Sequence, residues 1–195
     1  MISSGDIRTR FSLTKNLISD QTWANINKKI NVTNCIFDVT EGLGRAASES
    51  TAVLVCAGGF NDQRITADMK YVSPTATSAS EIGVIARCNT LDNIGTSESY
   101  YYARVDNDVA KLTKVVAGAF TTMTSTAFPL AQNVVVTISL SCVGSAISAT
   151  FTSAADPGNP VTLSTTDTAI PSGGLMGFRS LSSSVWFRSF TAEEL

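Results

Sequence analysis

From residue 60 onward the chain alternates apolar and polar residues with a period of two, the spacing of a pleated strand rather than a helix. Ile65, Ala67, Met69 and Tyr71 alternate with Thr66, Asp68 and Lys70. Ile82, Val84, Ala86 and Cys88 alternate with Gly83, Ile85 and Arg87, and Tyr101, Ala103 and Val105 with Tyr100, Tyr102 and Arg104. The cleanest run sets Val134, Val136, Ile138, Leu140 and Cys142 against Thr137, Ser139 and Ser141. Further strands are read around Ile147, Ala149 and Phe151, at Val161 and Leu163, in "GLMGFRS" and in "SVWFRSF", with two earlier ones at 35–39 and 51–57. Such a chain can bury its apolar residues only by laying one sheet face against another.

Turn residues punctuate the pattern. "DND" at 106–108 and "VGS" at 143–145 predict tight hairpins, while "DPGNP" at 156–160 and "PSGG" at 171–174 predict longer breaks. Many short strands with no long helical pattern predict an all-β, antiparallel two-sheet sandwich or jelly roll. The first 60 residues are less regular. "SDQTWANINKKI" offers Ser19 or Asp20 as a helix N-cap, against which its Asn and Thr residues count. "GLGRAASES" at 42–50 reads as a loop. Residues 1–20 read as an extended arm ahead of a sandwich domain at 21–195, for in the arm Ile7, Thr9, Phe11 and Leu13 alternate with Arg8, Arg10 and Ser12. That pattern is a strand without a partner in its own sandwich, suited to a neighbour's sheet edge.

Composition narrows the function. Charged residues make up 15 % of 195, against about 25 % in an ordinary domain, so the exterior is expected to be covered by Ser, Thr, Asn and Ala. A net charge of −2 argues against nucleic acid and against anionic membrane surfaces as partners. No stretch approaches the roughly 20 apolar residues of a spanning helix, and "MISSGDIRTRFSLTKN" lacks the apolar region of a secretory signal. Asn31-Val32-Thr33 is then read as a chance sequon, and Cys35, Cys56, Cys88 and Cys142 as reduced, small core residues, a reading that leaves room for one disulfide. There is no histidine, which removes histidine-based acid–base chemistry. Glu41, Glu49, Glu81, Glu98, Glu193 and Glu194 are scattered, with no paired-carboxylate run of the glycosidase kind. No catalytic residue, cofactor or metal site is therefore assigned. Asp106, Asn107 and Asp108 make the best oxygen cluster for calcium, but a tight turn explains them better.

Five features recur in order: Gly83 to Arg87, Tyr101 to Arg104, Lys114 to Gly118, the long strand 134–142, and Gly174 to Arg179. In this order the chain resembles the concanavalin A-like jelly rolls of the lectin, glucanase and laminin-G type over about 130 residues. The resemblance implies the two-sheet fold and is nearly silent on function, since such folds host lectins, hydrolases and structural modules alike. It does suggest why Arg87 and Arg104 sit inside apolar strands: on an outer face their guanidinium groups can stack on Tyr100 and Tyr102. Two readings follow. In the first, the chain is a structural subunit of a virion, a phage decoration, fibre or tail component made in the host cytoplasm, held to neighbouring subunits by its arm through Ile7, Arg8, Arg10, Phe11 and Leu13. In the second, it is a carbohydrate-binding module for surface glycans, with Arg87, Tyr100, Tyr102, Arg104 and Arg179 as the platform.

Overall fold

A computed structural model describes residues 35–38, 43–46, 52–56, 60–71, 81–89, 98–171, 173–180 and 185–195. They form thirteen strands: β1 (Cys35–Asp38), β2 (Leu43–Ala46), β3 (Ala52–Cys56), β4 (Gln63–Tyr71), β5 (Glu81–Cys88), β6 (Tyr100–Asp106), β7 (Val109–Val116), β8 (Ala119–Ala127), β9 (Val135–Val143), β10 (Ala146–Ser153), β11 (Asp156–Thr166), β12 (Leu175–Ser180) and β13 (Val185–Glu194). A seven-stranded sheet has the order β1-β2-β13-β4-β9-β10-β11, and a six-stranded sheet the order β3-β12-β5-β6-β7-β8. The pairings are antiparallel, as the alternating pattern predicts. The expected arm, the candidate helix at 19–30 and the sequon at Asn31 lie outside the described residues.

The core is the alternation made solid. Ile65, Ala67 and Met69 of β4, Val136, Ile138 and Leu140 of β9 and Ile147, Ala149 and Phe151 of β10 meet Ile82 and Val84 of β5, Tyr101, Ala103 and Val105 of β6 and Leu112 of β7. Burying one such aliphatic side chain contributes about 1.5–3 kcal/mol, so the register of the long strands is strongly set. The other face of the seven-stranded sheet is a band of hydroxyl groups. Thr66 meets Ser139 at 2.9 Å, Thr137 donates to Asp68 at 2.6 Å, and Thr150 meets Thr162 at 3.3 Å.

Two hairpins fall where turn residues predicted them. Asn107 and Asp108 join β6 to β7, both with positive φ, and Gly144 with φ +53 helps join β9 to β10. Ala117 and Gly118, also at positive φ, join β7 to β8. Three readings are corrected. Leu43–Ala46 is a strand rather than loop, since it pairs on both sides, with β1 and β13. "DPGNP" is not a break between strands but the start of β11, the turn being Ala154-Ala155. The ladder steps from Asp156 opposite Ser153 to Val161 opposite Phe151, so residues 157–160 bulge out of it. Pro157 and Pro160 are tolerated because β11 is an edge strand. Third, Cys88 does not share a face with Ile82, Val84 and Ala86. Arg87 has φ +54, and β12 opposes Cys88 with Leu175 but Ile85 with Gly177, so one residue is extra. That bulge flips the parity and sends Cys88 to the opposite face, with Ile85, Tyr100, Tyr102 and Val115.

β8 is a strand the alternation did not reveal. Its "AFTTMTSTA" carries no apolar period because it lies at the sheet edge, exposed or half-buried throughout.

One latch closes the end of the sandwich. The loop after β11 brings Asp167 to β6 and β7, where its carboxylate accepts from Tyr101 at 2.8 Å, from Lys114 at 2.5 Å and from the Ala169 amide at 2.8 Å. Burial works against that charge, but Lys114, the Ala169 amide and Tyr101 outweigh it and hold the carboxyl below its ordinary value. Burial pushes the Tyr101 phenol up, so it stays a donor. A depressed carboxyl pKa contributes stability that is full above the unfolded value of about 3.9 and is lost as pH falls through the folded value. Asp167→Asn should therefore lower stability by about 1–2 kcal/mol at neutral pH and flatten the loss of stability below about pH 4, read from urea midpoints across pH. Gly83→Ala is expected to fail in folding or to cost more than about 3 kcal/mol, because the added Cβ would lie 2.2 Å from the Ala103 carbonyl oxygen and 2.6 Å from the Tyr102 ring. Soluble yield and the thermal midpoint would show it.

Candidate functional site

β5 is buried along its whole length, on both faces, which a two-layer sandwich does not require of it. The reason lies on the outer face of the six-stranded sheet. Pairing sets Gly83 of β5 between Arg104 of β6 and Arg179 of β12. Next to that row, Ile85 lies between Tyr102 and Gly177. Glycine at 83 leaves room for the Tyr102 ring and for the two long side chains flanking it.

Four of the five residues proposed as a glycan platform come together here. The Arg104 and Arg179 guanidinium carbons sit 5.7 and 5.8 Å from the centre of the Tyr102 ring. Tyr100 and Tyr102 meet edge to face at 6.0 Å. Arg179 donates to the Tyr100 hydroxyl, and the Tyr102 hydroxyl donates to the Arg179 carbonyl at 3.3 Å. Arg104 also reaches Thr113 at 3.3 Å. Burial raises the Tyr100 phenol to about 12, against the pull of Arg179, so the hydroxyl keeps its proton. Burial likewise raises Tyr102. Burial works against the Arg179 charge too, but the oxygens of Tyr102, Tyr100 and Glu81 around it outweigh burial and hold the guanidinium above its ordinary value.

Two members were missed in the sequence. Glu81 was read as one scattered glutamate, yet it is the anion of the cluster: Arg104 donates to its Oε2, and the Arg179 Nε lies 3.6 Å from its Oε1. Its position two residues before Gly83 on the same face was the available signal. Phe120 is the other, and no alternation marked it because β8 has none. It is 43 % exposed, with the Arg179 and Arg104 guanidinium carbons 4.9 and 5.8 Å from its ring centre. Arg179 and Phe120 belong to strands four places apart. On a flat sheet that is at least about 19 Å, so side chains that touch across it require the face to be concave.

Arg87 is not part of this face. Its bulge turns the side chain to the end of the sandwich, where it donates to the carbonyl oxygens of Gly144 at 2.9 Å, Asn61 at 3.1 Å and Ile170 at 3.4 Å, with Asp62 at 3.7 Å. Gln63 accepts from the Arg87 amide at 2.8 Å and donates to the Phe60 and Gly173 carbonyls. Arg87 is thus a buried cation that ties three connections together, which corrects its place on the platform.

Several other charged groups are engaged in structure. Asp106 accepts from Lys111 at 2.7 Å and lies 3.5 Å from Arg104, Asp108 accepts from the Leu130 amide, and Arg64 pairs with Glu193. The 106–108 cluster therefore serves its hairpin, and among the described residues no group of three or more His, Cys, Asp or Glu could hold a metal ion. Cys88 and Cys142 are buried and not joined in a disulfide, and burial pushes the Cys142 thiol up to about 12, which keeps it unreactive. The side chains of Cys35, Cys56, Trp186 and Phe187 lie outside the described set. A cavity of about 400 Å³ lies between the 127–131 segment and β11, walled by Phe128, Leu130 and Val161, with Asp156 and Asn159 among its lining residues.

Neither a family model nor a curated protein matches the chain. Solved structures do. The carbohydrate-binding module CBM66 from Bacillus subtilis aligns with a TM-score of 0.65 at 18 % identity, over 82 % of this chain and 91 % of that one. Basic winged bean lectin, solved with Tn-antigen, gives 0.64 at 8 % identity over 82 % and 88 %. The exoplasmic/lumenal domain of VIP36, in its Ca2+/Man3GlcNAc-bound form, gives 0.63 at 11 % identity over 83 % and 81 %. The fold is a concanavalin A-like sandwich. At such identities the likeness speaks for the fold alone. One of these neighbours is a carbohydrate-binding module, one a lectin and one a domain solved with Man3GlcNAc bound, and the expectation of a phage virion subunit gains no support from them.

Glu81 sits between two guanidinium groups with 6 % of its side chain exposed. Removing one partner of a buried ion cluster leaves the others uncompensated. Glu81→Gln should cost about 3 kcal/mol in urea unfolding, far more than Glu193→Gln at the exposed pair with Arg64.

Proposed function

We propose that the chain is a carbohydrate-binding module whose glycan lies on the concave outer face of the six-stranded sheet, at Phe120. One observation carries this reading: an exposed aromatic ring is held against two fixed guanidinium groups on that face. A sugar ring presents C–H groups on its faces and hydroxyls on its rim. The first pack on an aromatic ring, and the second accept from planar cationic donors. Arg104, with Lys111 and Asp106 beside it, supplies partly exposed polar groups at the edge of the face. Tyr100, Tyr102, Arg179 and Glu81 are buried, so their part is to hold Phe120 and Arg104 in place rather than to touch sugar. Pre-set geometry of this kind lowers the ordering cost of binding.

The names of the similar structures point the same way, since one is a carbohydrate-binding module and two were solved with glycan ligands. A broad glycan array probed with the full chain is the test, followed by titration calorimetry of any hit. Binding is expected to fall at least about tenfold in Phe120→Ala, a loss of about 1.4 kcal/mol, with the thermal midpoint nearly unchanged because the ring is exposed. No hit on the array, or a hit that Phe120→Ala leaves intact, overturns the assignment to this face.

A further inference from the structure

The cavity of about 400 Å³ between the 127–131 segment and β11 takes no part in the concave face. From Ala127 back to Phe120, β8 runs about 23 Å, so the two places are separate. The bulge in β11 forms one wall of the cavity. β11 pairs with β10 at Asp156 and again from Val161, and residues 157–160 stand out of the ladder. Pro157 and Pro160 fix φ at the two ends of that bulge, and Asn159 donates to the Asp156 carboxylate across it at 2.8 Å. The opposite wall is tied down as well. The Phe128 amide donates to the Asp108 carbonyl and the Leu130 amide to the Asp108 carboxylate, both at 2.8 Å. The Phe128 ring lies 5.9 Å from that of Phe151 in the core. Both walls are therefore set before a ligand arrives, and the volume falls within the range of about 300–1,000 Å³ usual for small-molecule sites.

The chemistry of the lining is uneven. Most of it is apolar, with Phe128, Leu130 and Val161 the largest side chains. The polar residues, Ser153, Asp156 and Asn159, all come from the β10–β11 hairpin. Asp156 is the one charged residue of the lining, and among the described residues no cation pairs with it. We propose that this cavity binds a small amphiphilic amine, an aryl- or alkylammonium whose apolar body packs on Phe128, Leu130 and Val161 and whose charged end pairs with Asp156. The walls select the body, since apolar surface leaves water there. The carboxylate selects the charge, because a cation meets its complement and an anion meets a like charge. A sugar suits this cavity poorly, for its rim of hydroxyls would lose water against walls that offer few hydrogen-bond partners. The site does not depend on the concave face binding glycan.

Three probes with one apolar body test this on the full chain: phenethylammonium, phenethyl alcohol and hydrocinnamate, each titrated while backbone amide shifts are followed by NMR. Phenethylammonium should give shifts that saturate and that centre on 127–131 and 153–161. Affinity should fall from the ammonium to the alcohol to the carboxylate. Asp156→Asn should weaken the ammonium at least about threefold and leave the alcohol unchanged, with the thermal midpoint kept because the residue is exposed. Phe120→Ala should leave all three titrations as they were, which separates this site from the concave face. The proposal is overturned if phenethylammonium gives no saturating shift up to about 10 mM, well beyond a millimolar Kd. It is overturned equally if the shifts centre elsewhere, or if Asp156→Asn leaves the preference for the ammonium intact.

Discussion

A single carboxylate sets the character of the concave face. Arg104 and Arg179 are drawn toward each other over the Tyr102 ring, and two positive charges at that range would separate without Glu81 beneath them. Because Glu81 holds both, Arg179 can reach across the face to Tyr100 and Phe120, and the sheet is closed by side chains from strands four places apart. The geometry of Phe120 follows from this cluster rather than from its own strand. Charge pairing in a largely desolvated place contributes little net stability, but it fixes the orientation of the side chains it joins.

The two arginines found in apolar strands have different fates for one backbone reason. Arg104 keeps the regular pleat and points outward with Tyr100 and Tyr102. Arg87 occupies a bulge with positive φ, and the extra residue swings its side chain to the end of the sandwich. There it satisfies carbonyl oxygens of three connections. Those carbonyls lie in irregular segments, where backbone acceptors have no ladder to join, so a buried cation supplies the donors.

The alternation legible in β4, β9 and β10 carried straight into the core, since each of these strands buries one face and leaves the other polar. It failed where that condition failed. β8 buries little and so shows no period, and β2 is too short to show one. The 156–160 stretch is full of turn residues yet belongs to a strand, because an edge position excuses proline. Four of the five residues expected to share an outer face do share one, being two tyrosines and two arginines at outward positions. Glu81 and Phe120 were not, as nothing in a single strand's pattern says which residue of another strand will stand beside it.

By itself the sequence determined that this chain forms sheets, which residues of the long strands face the core, where two of the tight hairpins fall, and that no histidine chemistry is available. Those properties depend on the two-residue pleat and on residue type, both of which are local. Only the tertiary structure decided that Glu81, Arg104, Arg179, Tyr102 and Phe120 share a concave face and that Arg87 does not. Strand order and the parity change at a bulge arise from pairings between distant segments, and the free energy that selects them belongs to the packed sandwich as a whole.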